Sequence, residues 1–169
     1  RSQFDFTFDR DTELSGYMKL RLWVQAQPLP GDRVPPDDMG IFVAVDKLDR
    51  HGRPVRFRGS VGFAQDTVTR GLCRVSRRDL DPVDSTDWHP VPSGRTHQPL
   101  APGQIVPVDI ALYPSSTFFA AGESLRLIIA SDEIVPAPPY RKVTPYNRGI
   151  HVLHMGGTYD SHLLIPVIP

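Results

Sequence analysis

Eighteen prolines and 13 glycines punctuate 169 residues so evenly that only two windows of 13 or more residues, 1–15 and 123–135, lack both. Proline removes a backbone donor and fixes φ, and glycine weakens any regular element it interrupts, so long helices have no room here. Short strands joined by turns remain. The apolar residues confirm that period. Phe4, Phe6 and Phe8 alternate with Asp5, Thr7 and Asp9, which is the pattern of a half-buried strand. Met18, Leu20, Leu22 and Val24 face one way, and Lys19, Arg21, Trp23 and Gln25 the other. Ile41, Val43 and Val45 repeat the alternation, as do Val106, Val108, Ile110 and Leu112 against Pro107, Asp109, Ala111 and Tyr113, and Leu125, Leu127 and Ile129 around Arg126. Further strands are expected near Leu72 to Ser76, Ile150 to His154 and His162 to Ile165. Many short strands of this kind predict an all-β chain, an antiparallel β-sandwich of two sheets packed face to face. Gln27 to Asp38, Asp81 to Gly103 and Pro136 to Asn147 are rich in turn formers and are expected to be surface loops.

Composition narrows the function classes. A chain of 169 residues suits one domain with a sizeable core. Lys+Arg and Asp+Glu stand at 19 each, so no net field attracts nucleic acid or an anionic membrane, and neither is an expected partner. Cys73 is the only cysteine, which excludes an internal disulfide and fits a small buried apolar role. That is compatible with a cytoplasmic setting, though the compartment is not written in the chain. No apolar run approaches the ~20 residues of a membrane-spanning helix.

Catalytic signatures are missing. The strained G-x-S-x-G turn of an α/β-hydrolase does not occur, and Gly59-Ser60-Val61-Gly62 has the wrong spacing and reads as a hairpin or bulge. No catalytic residue and no cofactor is assigned, and no phosphate-binding loop is present. His151 and His154 would converge on a helix but diverge on the expected strand. Asp38, Asp46 and Asp49 could offer a calcium ion its preferred carboxylate oxygens, with solvated loop acids as the simpler reading. Arg74, Arg77 and Arg78 form the densest charge cluster. Their planar forks suit a polar contact with another domain, and together with Trp88 they are the candidate interdomain contacts, against the alternative of a charged strand edge that discourages aggregation. Trp23, Trp88, Tyr113, Phe118, Phe119, Tyr140, Tyr146 and Tyr159 raise a rival class, a free-standing carbohydrate-binding or other ligand-binding sandwich, in which exposed rings would stack on sugars. At 9% aromatic content, packing accounts for them more simply.

Several segments in order resemble one known module. These are Thr12 to Val24, the aspartate-bearing hairpin Asp38 to Asp49, Gly71 to Pro82 with Arg74-Val75-Ser76-Arg77-Arg78, Leu100-Ala101-Pro102-Gly103, and Phe119-Ala120-Ala121-Gly122-Glu123-Ser124-Leu125-Arg126-Leu127. Asn147-x-Gly149, Gly156-Gly157-x-x-x-Ser161 and the closing Leu163 to Pro169 follow. Together they resemble the C-terminal jelly roll of the X-Pro dipeptidyl-peptidase and cocaine-esterase (CocE/NonD) family of serine hydrolases. Glu123 stands where the family more often has histidine in its F-x-x-G-H-x-L-R-L element. The resemblance implies a galactose-binding-like jelly roll over 1–169, the C-terminal part of a longer hydrolase. Such a domain packs on an α/β-hydrolase domain of the same polypeptide and walls part of its substrate pocket, while nucleophile, base and acid lie elsewhere. Self-association is left open by the sequence, as is the choice between a proline-containing peptide and an acyl ester as substrate.

Overall fold

The computed structural model describes residues 1–59, 65–134 and 147–169. Nine strands and one 3-10 turn occur among them: β1 Ser2–Thr7, β2 Thr12–Gln27, β3 Gly40–Leu48, β4 Pro54–Val55, β5 Thr69–Arg74, the 3-10 turn Val75–Arg77, β6 Ile105–Phe119, β7 Ser124–Ala130, β8 Ile150–His154 and β9 His162–Leu164. All strand pairs are antiparallel. One sheet runs β1, β7, β3, with β4 and β5 sharing the far side of β3; the other runs β6, β2, with β8 and β9 sharing the far side of β2.

The alternation read from the sequence sets the inner faces. Leu14, Met18, Leu20, Leu22, Val24 and Ala26 of β2 and Val106, Val108, Ile110 and Leu112 of β6 meet Ile41, Val43 and Val45 of β3 and Leu125, Leu127 and Ile129 of β7 in one apolar cluster. Each such side chain, fully buried, contributes about 1.5–3 kcal/mol relative to exposure, which drives the two sheets together. The 3-10 turn adds Val75, and the long irregular stretch before β6 adds Leu100. Arg21, Trp23 and Gln25 occupy the outer face of their sheet, as their period requires.

Four features depart from the sequence expectation. Phe4 and Phe6 remain 39% and 59% exposed on β1, which among the described residues is an edge strand paired with β7 alone. Phe8, past the end of β1, is the member of that row that reaches the core, its ring 4.8 Å from that of Phe119. β3 is buried on both faces, with Phe42 and Ala44 covered as well as Ile41, Val43 and Val45. The expected strand Leu72 to Ser76 instead begins at Thr69 and stops at Arg74, where the chain tightens into the 3-10 turn. Finally, β6 continues through Pro107 and Pro114 to Phe119. As an edge strand it tolerates a proline whose missing N–H would point away from the ladder.

The sheets nearly touch along one seam. β5 lies beside β6, close enough that a Cβ on Gly71 would stand 2.4 Å from the Ala111 carbonyl oxygen. The Thr69 hydroxyl donates to the Tyr113 carbonyl two positions along. Glycine at 71 is therefore a steric requirement. Gly71→Ala should lower stability by about 1–3 kcal/mol through forced backbone displacement, read as a reduced urea midpoint with unchanged slope.

Candidate interdomain surface

The arginine cluster is built around a buried acid. Asp38, 3% exposed, accepts from Arg74 Nε at 2.6 Å, from the Ser76 amide at 2.8 Å and hydroxyl at 2.7 Å, and from the Met39 amide at 2.9 Å. Burial alone would raise its pKa. The hydrogen bonds from Arg74, Ser76 and Met39 outweigh that and hold it below the usual carboxylate value. Arg77 donates to the Thr96 carbonyl, and Arg78 to those of Val75 and Gln98. Irregular backbone leaves carbonyls without ladder partners, and a guanidinium fork satisfies several of them at once. These arginines thus tie the 3-10 turn to residues 96–98.

They also line a cleft. Arg74, Arg77 and Arg78 share a groove of about 430 Å³ with Leu72, Cys73, Leu80 and Pro92 on one side and Asp109, Ala111 and Tyr113 of β6 on the other. Desolvation, reinforced by the charge of Asp38, pushes the Cys73 thiol up to about 12, so it carries no thiolate chemistry at neutral pH. Leu72 and Tyr113 are 48% and 66% exposed. Trp88 lies outside this lining, 57% exposed, next to His89, whose ring stacks on Tyr17 at 4.2 Å.

The Asp109 wall was not foreseen as part of this site. Its one sequence signal was an acid at an outward position of an otherwise apolar strand. Asp109 Oδ2 accepts from Arg21 at 3.0 Å, whereas Oδ1 is buried without a hydrogen-bond partner. Arg21 also reaches Asp160 at 3.0 Å, and its guanidinium lies 5.8 Å from the centre of the Trp23 ring. The Trp23 indole donates to Asp160 at 2.6 Å, and Tyr159 packs between Trp23 and His154 at 5.5 and 5.0 Å. Trp23 and Tyr159 are therefore held in a packed polar cluster, and Phe119 is buried in the core. Tyr140 and Tyr146 lie outside the described residues, as does Ser60-Val61-Gly62.

Asp38, Asp46 and Asp49 do not converge. Asp38 precedes β3 and Asp46 is near its other end, so roughly 25 Å of extended chain separates them. Asp46 pairs with Arg56 at 2.8 Å. Asp49 caps the following turn: the amide of Arg53, the Arg53 guanidinium and the amide of His51 bring its pKa down to about 2. Among the described residues, no three His, Cys, Asp or Glu side chains gather as a metal site. His151 and His154 take opposite faces of β8. His154 meets Gln25 and Tyr159 on the outer face, and His151 lines a pocket of about 230 Å³ with Met39, Ile41 and Asn147, where burial lowers its pKa. The hydroxyls of Ser76, Ser85, Ser93 and Ser161 bond carboxylates or backbone carbonyls.

Residues 2–164 match the family profile of the X-Pro dipeptidyl-peptidase C-terminal non-catalytic domain, and the chain belongs to that family. Two crystal structures of a CocE/NonD family hydrolase from Staphylococcus aureus superpose with a TM-score of 0.90 at 38% identity, covering 98% and 99% of this chain and 30% of theirs. An α-amino acid ester hydrolase shares the fold at a TM-score of 0.61 and 12% identity, over 98% of this chain and 25% of that one. No curated protein sequence matches.

The lowered pKa of Asp38 predicts a loss of stability in acid. The folded-state pKa of Asp38 lies below its unfolded value, so the unfolded chain binds more protons as pH falls. Its contribution is complete above about pH 4 and is lost as pH drops through the folded value. Asp38→Asn should lower stability at pH 7 by about 1–3 kcal/mol, by setting an amide N–H₂ against donors, and should flatten the loss of melting temperature between pH 4 and 2.

Proposed function

We propose that this chain serves as the C-terminal accessory domain of a CocE/NonD-type serine hydrolase. It packs on an α/β-hydrolase domain of the same polypeptide and walls part of that domain's substrate pocket. The chemistry of the whole polypeptide would be ester or amide cleavage through a serine acyl-enzyme, with nucleophile and base outside these 169 residues. One observation carries this reading: almost the entire chain superposes at 38% identity on 30% of a CocE/NonD family hydrolase. The sandwich then contributes position. Rigid strands set loops and side chains to within fractions of an ångström, which is what an acyl-transfer pocket demands of its walls. Arg74, Arg77, Arg78 and Trp88 are the proposed contacts. The first three present planar faces whose donors are oriented by Asp38 and loop carbonyls, and Trp88 offers a large exposed ring of the kind enriched at interfaces.

An antibody to this chain, used on source-cell extract treated with a fluorophosphonate probe, tests the reading. The expected result is one labelled band roughly three times heavier than the 18.9 kDa of this chain, in line with the 30% share of the relative. An unlabelled band at 18.9 kDa would overturn it and leave a free-standing module to be screened against glycans.

A further inference from the structure

β1 is held on one side only. Among the described residues it ends its sheet and pairs with β7 alone, and each of residues 3–7 is exposed. Phe4 and Phe6 lie opposite Leu127 and Leu125, so they share the face that builds the core, yet both stay open to solvent. The direction of the backbone groups follows from the next residue. The Phe8 N–H donates to the Glu123 carbonyl, and the Phe8 carbonyl accepts from the Gly122 N–H, both on the β7 side. Antiparallel backbone groups alternate sides with a period of two. Ser2, Phe4 and Phe6 therefore also turn theirs to β7, and Gln3, Asp5 and Thr7 turn theirs to the free edge. Native proteins blunt such an edge with lysine, proline or a bulge. β1 has none of these: it reads Ser-Gln-Phe-Asp-Phe-Thr, and its register with β7 is unbroken. Its one charge is already answered, since Asp5 accepts from Arg126 Nε and Nη2 at 2.7 Å each.

We propose that β1 is a self-association edge, on which a second copy of the chain lays its own β1 antiparallel across a two-fold axis at Phe4. This goes beyond the accessory-domain reading and does not depend on it. The occupant follows from the self-complementarity of the strand. A two-fold contact uses the same patch on both copies, and the alternation of backbone groups requires the axis to pass through a residue. An axis at Phe4 pairs residues 2–6 and sets Gln3 against Asp5 of the second copy. Those two exchange both backbone hydrogen bonds, and the Gln3 amide is placed to donate to the facing Asp5 carboxylate. Phe4 meets its own counterpart in the closer, non-hydrogen-bonded kind of pair, with Phe6 of the other copy on the diagonal, so the exposed rings cover one another. An axis at Asp5 would pair residues 3–7 but oppose two like charges. Axes at Gln3 or Phe6 would pair only residues 2–4 or 5–7. Length of pairing and charge together select Phe4, and two sheets become one.

Sedimentation of the full-length polypeptide at micromolar concentration tests this and should give a dimer. Gln3→Pro removes an N–H from the free edge and leaves the β7 ladder intact, so it should raise the dimer dissociation constant at least tenfold. Phe4→Cys reads the register. Under mild oxidation it should form a disulfide between copies at least tenfold faster than Thr7→Cys, whose two copies an axis at Phe4 holds about 20 Å apart. Both positions lie outside the apolar core cluster, and the native Cys73 thiol, pushed up to about 12, does not compete. A full-length protein that stays monomeric at micromolar concentration overturns the proposal and leaves the accessory-domain reading in place. A dimer in which Phe4→Cys crosslinks no faster than Thr7→Cys overturns it too, as does a dimer unaffected by a folded Gln3→Pro. Should Gln3→Pro fail to fold, the two crosslinking rates decide alone.

Discussion

The inner row of β2, from Leu14 through Met18, Leu20, Leu22 and Val24 to Ala26, is almost completely buried, and much of the molecule is arranged around that fact. β2 is 16 residues long and carries β6 on one side and β8 and β9 on the other, so it aligns three neighbours at once. Its ladder with β6 shifts register between Gly16 and Met18, where Gly16 has a φ of +133°. That irregularity bends a ladder which would otherwise be too long for a sandwich, and it carries β6 past Pro114. The opposing row on β3 and β7 closes the core, and the seam between β5 and β6 is the margin where the two layers almost fuse.

Charge is distributed for bracing. With 19 cations and 19 anions, several of the described ion pairs join segments far apart in sequence: Arg74 with Asp38, Arg126 with Asp5, Arg21 with Asp109 and Asp160, Lys47 with Glu123. The more exposed of these, such as Arg126 with Asp5, contribute little individually. Asp38 is different, because it is buried and fourfold hydrogen-bonded, and removing any partner would strand a charge away from water. It fixes the start of β3 against the end of β5 and thereby sets one wall of the cleft. Glu123 has a structural use, accepting from the Ala120 amide and pairing with Lys47 at 2.6 Å.

The same bracing extends to the irregular parts of the chain. Its loops between residues 75 and 104 are held by arginine and aspartate side chains on backbone groups, which fixes otherwise irregular chain. Its edges are left in different conditions. Asp109 of β6 keeps one buried carboxylate oxygen unpaired, whereas β1, at the edge of its sheet among the described residues, carries two exposed phenylalanines.

Local periodicity was enough to read the fold class. Alternation at 18–24, 41–45, 106–112 and 125–129 is a property of adjacent residues, and each stretch became a strand with the expected inner face. The order of the family-like elements from Thr12 to the closing strand likewise depends on the sequence alone. The exposure of Phe4 and Phe6 was not legible, because it depends on what packs against β1, and among the described residues β1 pairs only with β7. Nor were the partners of Arg74, Arg77 and Arg78, since carbonyls of residues 96–98 and the carboxylate of Asp38 come near only when β3 and β5 pair. Asp109 shows the limit best. Its outward direction is written in the period of its strand, but the covering of its unpaired Oδ1 depends on tertiary packing, which no local pattern encodes.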